Sequence, residues 1–271
     1  MKRVFPEKYI ESFDGTRIHY RYKKGSKKCI VFLHGLTGAY SAWPFQEKYF
    51  SEKGYSTITI DIRGHGYSDK PNETYEYTIK HAAKDLEEIV KKENINDFTI
   101  VSHCMGTYVA LKYHELFPHR VRSMVLISPH HKPNKDTMWK LGSILFFLEL
   151  TLLSFIYKNV QYTQPDFIKL IGMKDYEIWR YLPLIKIASA KTVRSFLKDI
   201  MKFDGSLFVA KITIPCLIIS GKKDLYIPKK IPTELSRAIK NSTLLLYENE
   251  WHNPVLNNPD RICKDIENFI R

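Results

Sequence analysis

The sequence predicts an α/β domain: a mostly parallel sheet with helices on both faces. Three observations predict it. Short apolar runs alternate with amphipathic ones through the first half of the chain. The same alternation resumes near the C-terminus. The runs are apolar on both sides of the strand, as in sheets buried on both faces.

The elements follow in order. Thr16–Tyr22 alternates in the manner of a strand. Cys29–Leu33 is a short apolar run that ends in His34-Gly35, and the β-branched run Ser56–Ile62 ends in a Gly-rich turn. Ile79–Lys92 reads as a helix, with Ala82, Leu86, Ile89 and Val90 on one face. Phe98–Val101 is the next strand, Met105–Leu116 the helix after it, and Val121–Ser128 another strand. Pro215–Ser220 and Ser242–Tyr247 are the last two strands. Ile231–Lys240 and Pro259–Ile270 are the helices that follow them.

Between Pro129 and about Leu207 no β-run appears, and the stretch reads as helices. The expected domains are therefore a core of residues 1–129 and 208–271 and a helical cap of residues 130–207. Leu141–Tyr157 is apolar nearly all round, with Glu149 its one charge. Such a helix is buried on several sides or meets lipid. At about 17 residues it is at the short edge of a membrane span. The mid-segment charge and the flanking strands favour a lid over the site, and peripheral contact of that lid with a membrane stays open.

The chain has 271 residues and a net charge of +13. Lysines come in pairs, among them Lys222-Lys223 and Lys229-Lys230. They read as a solvated basic surface or as attraction to anionic lipid or to a phosphate-bearing substrate such as a CoA ester. No nucleic-acid module is visible, so charge alone does not support that partner. No apolar run follows the charged N-terminal residues, so no secretory signal is expected, and the expectation is a cytoplasmic protein. The four cysteines, Cys29, Cys104, Cys216 and Cys263, lie far apart without metal spacing, which suggests free thiols.

The chemistry sits in Ser102-His103-Cys104-Met105-Gly106, at a strand-to-helix turn. The pattern is small–x–nucleophile–x–Gly, the form of G-x-S-x-G. A strained turn needs small residues two before and two after the nucleophile, and Ser102 and Gly106 satisfy that. A frame centred on Ser102 would put the branched Ile100 at a small position, so Cys104 is the expected nucleophile. Elsewhere a lone Cys reads as an inert small hydrophobe. At the elbow it meets a helix N-terminus, where the dipole and free N–H groups favour an anion. A base and an orienting acid are then required. His252 follows the strand Ser242–Tyr247, and Asp224 follows Pro215–Ser220. Both lie at the carboxyl edge of the sheet, where such sites form. Each alone could be a surface loop residue; the order nucleophile, acid, base makes them specific. His34-Gly35-Leu36-Thr37-Gly38 supplies an anion hole, with the N–H groups of Leu36 and Met105 as donors, and His34 is expected to hold the loop. His103, His130, Phe146, Phe147 and Trp179 are the candidate substrate-binding residues. His130-His131 have no carboxylate or Cys nearby in sequence, so no metal and no cofactor is expected.

With these motifs the chain resembles the α/β-hydrolase superfamily, in the branch with a helical cap inserted after the sixth strand. Asp61-Ile62-Arg63-Gly64-His65-Gly66-Tyr67-Ser68 resembles that family's D-x-R-G-x-G-x-S turn, and Asp61, Arg63 and Ser68 are expected to be structural. The resemblance implies a Cys104–Asp224–His252 triad and esterase, lipase, thioesterase, acyltransferase or C–C hydrolase activity. The cysteine at the elbow resembles the usage of dienelactone hydrolases and polyhydroxyalkanoate synthases. The expected function is cleavage of a carboxylic ester or thioester with an apolar acyl group through an acyl-enzyme on Cys104, the partner being a small acyl substrate. Two alternatives stand: an acyltransferase that passes the acyl group to a non-water acceptor, and a hydrolase-fold protein that only binds.

Overall fold

The fold was analysed in a computed structural model, which describes residues 7–132, 166–174 and 187–271. Eight strands form one sheet: β1 (Glu7–Glu11), β2 (Arg17–Lys23), β3 (Lys27–Leu33), β4 (Tyr55–Ile60), β5 (Phe98–His103), β6 (Val121–Ile127), β7 (Cys216–Gly221) and β8 (Ser242–Tyr247). Their spatial order is β1-β2-β4-β3-β5-β6-β7-β8. The first two strands run antiparallel to their neighbours, and every pairing from β4 to β8 is parallel. The expected mostly parallel sheet is present.

The helices that cover it are α1 (Pro44–Glu52), α2 (Ile79–Lys92), α3 (Met105–Leu116), α4 (Ala190–Ile200), α5 (Lys230–Ala238) and α6 (Pro259–Ile270). Alternation along β3 shows how the two faces are filled. Cys29, Val31 and Leu33 point into one core with Ala82, Leu86 and Ile89 of α2 and Val109 of α3. Ile30 and Phe32 point into the other, with Phe50 of α1 and Ile262 and Ile266 of α6. Burying a side chain of this size contributes about 1.5–3 kcal/mol. The sheet is therefore held from both sides, and its carboxyl edge is a rigid platform. Local signals agree with this. Thr78 caps α2 by accepting from the His81 N–H at 3.1 Å, and Lys91 and Lys92 fall in its last turn.

Some element boundaries differ from expectation. β4 stops at Ile60, two residues short of the apolar pattern, because the Asp61 carboxylate turns back to accept from the main chain. It takes the N–H of Tyr40 at 2.7 Å and that of Tyr67 at 2.9 Å. β5 runs on through His103 and so delivers Cys104 at its very tip. The edge strand β1 and the helix α1 were not anticipated. β1 is short and half-exposed, with a burial alternation too brief to stand out. In α1, the aromatics and the buried polar Gln46 and Glu47 blur the apolar stripe.

The expected cap lies partly outside the described residues. Leu141–Tyr157 and the candidate pocket residues Phe146, Phe147 and Trp179 lie wholly outside them. Among the described residues of 130–207 there is no strand; α4 packs near α2, with Phe196 and Ile200 joining the α2–α3 core. No helix among the described residues is long and apolar enough to cross a membrane. The four cysteines are all free.

Candidate active site

Cys104 occupies the tip of β5 and caps the start of α3 with φ 49° and ψ −115°. A left-handed φ is costly for a side-chain-bearing residue, by about 1–3 kcal/mol, and is maintained only where the surroundings over-determine it. Here they do. The Cys104 N–H donates to the Ile127 carbonyl at 3.0 Å, and its carbonyl accepts from the Thr107 N–H at 2.9 Å and the Thr107 hydroxyl at 2.7 Å. Gly106 is required by close approach. A Cβ there would lie 2.4 Å from the Leu33 carbonyl oxygen and 2.8 Å from that of His34. Ser102 is fully buried, and its hydroxyl donates to the Val125 carbonyl at 3.2 Å. Cys104, by contrast, is partly exposed.

Asp224 and His252 lie on the loops after β7 and β8 and meet there. His252 Nδ1 is 2.9 Å from Asp224 Oδ2. The other carboxylate oxygen, Oδ1, accepts the N–H groups of Tyr226 at 2.9 Å and Ile227 at 2.8 Å. Asp224 is buried, which opposes ionisation, yet the His252 charge and these hydrogen bonds hold its carboxyl below the usual aspartate range. Burial likewise opposes the imidazolium of His252. Asp224, and a further charge interaction and hydrogen bond with Cys104, outweigh it and push the imidazole well above its ordinary value. The three residues separated by 120 and 28 positions in sequence are thus brought to one place.

The His34–Gly38 segment lies beside the elbow, as the close approach of Gly35 to Cys104 and His103 shows. His34 has a defined tautomer. The Ile62 N–H donates to its Nε2 at 3.0 Å, so its Nδ1 carries the proton and donates to the Gly35 carbonyl at 2.7 Å. Burial lowers its basicity, in keeping with a neutral ring. His34 ties the His34–Gly38 loop to the turn after β4. That turn is structural too. Arg63 is fully buried and donates to Asp85, Asp14 and the Glu76 carbonyl. Ser68 donates to the Asp61 carbonyl at 2.6 Å. The expected oxyanion donors are Leu36, which follows Gly35 and is half-buried, and Met105, which follows Cys104 and is buried.

His130 is buried against Tyr108, ring on ring at 5.9 Å and 12°; burial, aided by the nearby charge of His252, lowers its basicity to about 3. It is a neutral imidazole beside the site. His103 spends its Nε2 on the carbonyl of His252, at 2.9 Å, instead of presenting it to a substrate. Sequence reasoning missed Ser128 and Tyr226. Ser128 donates to the same His252 carbonyl at 3.0 Å, and the Tyr226 ring packs on the His252 ring at 5.0 Å. No spacing rule marks either one, since each is defined by where a distant loop returns.

Comparisons with known proteins agree with this architecture. The α/β-hydrolase fold family model matches residues 28–169. Epoxide hydrolase 1 of Caenorhabditis elegans is 22% identical over 282 residues, spanning 94% of this chain and 68% of that protein. Among solved structures, an esterase from Exiguobacterium antarcticum superposes with a TM-score of 0.80 at 23% identity, covering 98% of this chain and 99% of that one. An enol-lactonase from Burkholderia xenovorans LB400 does so with a TM-score of 0.78 at 21% identity, covering 97% and 99%. The family match and the sheet with its elbow lead to one conclusion: the chain belongs to the α/β-hydrolase fold family.

Proposed function

We propose that this protein is a hydrolase that cleaves a carboxylic ester or thioester through an acyl-enzyme on Cys104. The observation that carries the reading is a partly exposed cysteine at a strained, positive-φ elbow, whose charge interaction reaches a histidine that is held by a buried aspartate.

The reaction runs as follows. His252 Nε2 takes the thiol proton of Cys104, and Asp224 stabilises the resulting imidazolium through Nδ1–H. The thiolate attacks the acyl carbonyl, and a C–S bond forms. The N–H groups of Leu36 and Met105 stabilise the oxyanion, each worth about 3 kcal/mol. The tetrahedral intermediate expels the alcohol or thiol, which takes the proton from His252. Water then gives a proton to His252 and its oxygen to the thioester carbon. Collapse releases the acid and returns the proton to the sulfur.

The sulfur also argues against epoxide opening, the activity named for one relative. A thiolate that opens an epoxide makes a thioether, which water does not cleave, so the enzyme would stop after one turnover. An acyl substrate gives a thioester, which water does cleave. The same thioester reacts readily with amines and thiols, which favours acyl transfer as the second reading. Phe146, Phe147 and Trp179, which lie outside the described residues, are proposed to contact the apolar acyl group.

The test is turnover of p-nitrophenyl esters of increasing chain length by the wild type and by Cys104→Ala. Abolished turnover with a thioester adduct trapped on the wild-type Cys104 supports the reading. Full turnover by the alanine variant overturns it. Added amine or thiol acceptors that divert product from free acid would identify a transferase.

A further inference from the structure

His252 has a long way to reach. It rides on a loop after β8, whereas Cys104 stands at the tip of β5, and the sheet order places β6 and β7 between them. Three inter-strand steps of about 4.8 Å make a reach of about 14 Å. Residues 251–253 belong to no helix or strand. Something must define where that loop stops.

The tips of the three strands it crosses all engage His252. From β7, Asp224 holds the ring. From β6, the Ser128 hydroxyl donates to the His252 main-chain carbonyl at 3.0 Å. From β5, His103 Nε2 lies 2.9 Å from the same oxygen. A carbonyl only accepts, so His103 carries its proton on Nε2 and donates. The His103 and His252 rings also pack, with centroids 5.0 Å apart. Ser128 adopts φ 46°, and its N–H is fixed by the Ile219 carbonyl at 2.7 Å. A left-handed serine costs energy that glycine would avoid, and here the strain accompanies a hydroxyl aimed at the loop.

We propose that His103 and Ser128 are positioning residues that clamp the His252 carbonyl from two strand tips and so set the reach of the imidazole to the Cys104 thiol. The inference rests on the acyl-enzyme reading of Cys104 and His252 and adds to it the device that registers the base loop. Two donors on one oxygen hold its position in two directions, where one alone would leave a hinge. His103 immediately precedes Cys104, so nucleophile and clamp move together.

The experiment compares His103→Leu, His103→Gln, Ser128→Gly and the double variant His103→Leu/Ser128→Gly with the wild type on p-nitrophenyl acetate. Gln keeps an N–H donor at similar reach, and Gly relieves the φ strain while deleting the hydroxyl. Expected are falls in kcat of about 10-fold for each of His103→Leu and Ser128→Gly and about 100-fold for the double variant, with KM within about twofold. His103→Gln should recover most of the loss, and Ser128→Gly should melt no lower than the wild type. Wild-type kcat in the two single deletions, or equal losses in His103→Gln and His103→Leu, would overturn the clamp. A second readout needs no substrate: the downfield proton NMR signal of His252 Nδ1–H, bonded to Asp224. It should persist in the wild type and broaden away in the double variant; a signal unchanged in the double variant overturns the clamp. Cys104→Ala is assayed alongside. If it turns over normally, the acyl-enzyme reading fails, and the proton signal still decides the clamp.

Discussion

Cys104 sits where the backbone is strained and the side chain has one direction to go, and its neighbour Ser102 is buried with its hydroxyl spent on Val125. The two residues should therefore behave differently. Ser102→Ala should keep turnover within about twofold, because the hydroxyl is buried on the Val125 carbonyl and the lost bond is one ordinary hydrogen bond worth about 1 kcal/mol. Asp224→Asn should lower kcat by about ten-thousandfold by removing the charge that orients and stabilises the His252 imidazolium. The same substitution should move the His252 imidazole titration, followed by NMR, toward lower pH, since Asp224 is the largest influence raising it. An unmoved titration would contradict the assignment of that partner. The sign for stability also follows. The charged His252 contribution is fully present below its ordinary value of 6.5 and is lost as pH rises through the raised one. An epoxide of suitable shape should alkylate Cys104 once and inactivate the enzyme; repeated turnover of epoxide would refute the sulfur argument.

Turns and strand tips do the placing. Gly221 ends β7, and a Cβ there would lie 2.2 Å from the Glu250 carbonyl oxygen and 2.5 Å from that of Trp251. Those atoms are main chain and cannot swing aside. Gly221→Ala should displace the His252 loop, lowering kcat and the melting temperature together. The Arg63 knot pins the turn after β4. Its side chain is buried between Asp85 and Asp14, at 2.6 and 2.7 Å. Arg63→Ala leaves Asp85 buried without its cation and should cost about 3–5 kcal/mol in a urea melt. The turn's motif marked Arg63 as structural in sequence. Its partners were invisible there, because Asp14 and Asp85 come from the β1–β2 turn and from α2.

Acid should unfold the whole molecule through its paired carboxylates. Asp14, partly desolvated but bonded to Arg63, is held at about 2. Glu267, bonded first by Tyr49 and then by Lys53, also lies at about 2. Asp224 is lowered as well. A depressed carboxylate stabilises above its ordinary value and loses that contribution as pH falls through the folded one. Burial also holds His34 and His130 neutral in the fold, so stability is lost as pH falls below their ordinary value of 6.5. The melting temperature should therefore decline below about pH 6.5 and fall most steeply from about pH 4 toward pH 2; a level profile to pH 2 would contradict the pairing.

The α/β architecture was legible in the chain alone, because period-two and period-3.6 patterns and buried runs are local properties. The chain also singled out Cys104, Asp224 and His252, because the elbow's steric demands and the order of loops after strands are written in spacing. Folding added the contacts between distant loops. It put the Asp224 carboxylate on His252 Nδ1, set the tautomers of His34 and His103, and made Ser128 a partner of a carbonyl far along the chain. It also turned His103 from a candidate substrate contact into a hydrogen-bond donor to the base loop. The physical reason is one of range. Patterns report a residue's own face and turn, whereas hydrogen bonds between strand tips depend on which strands the sheet makes neighbours. That order, β5-β6-β7-β8, exists only after folding.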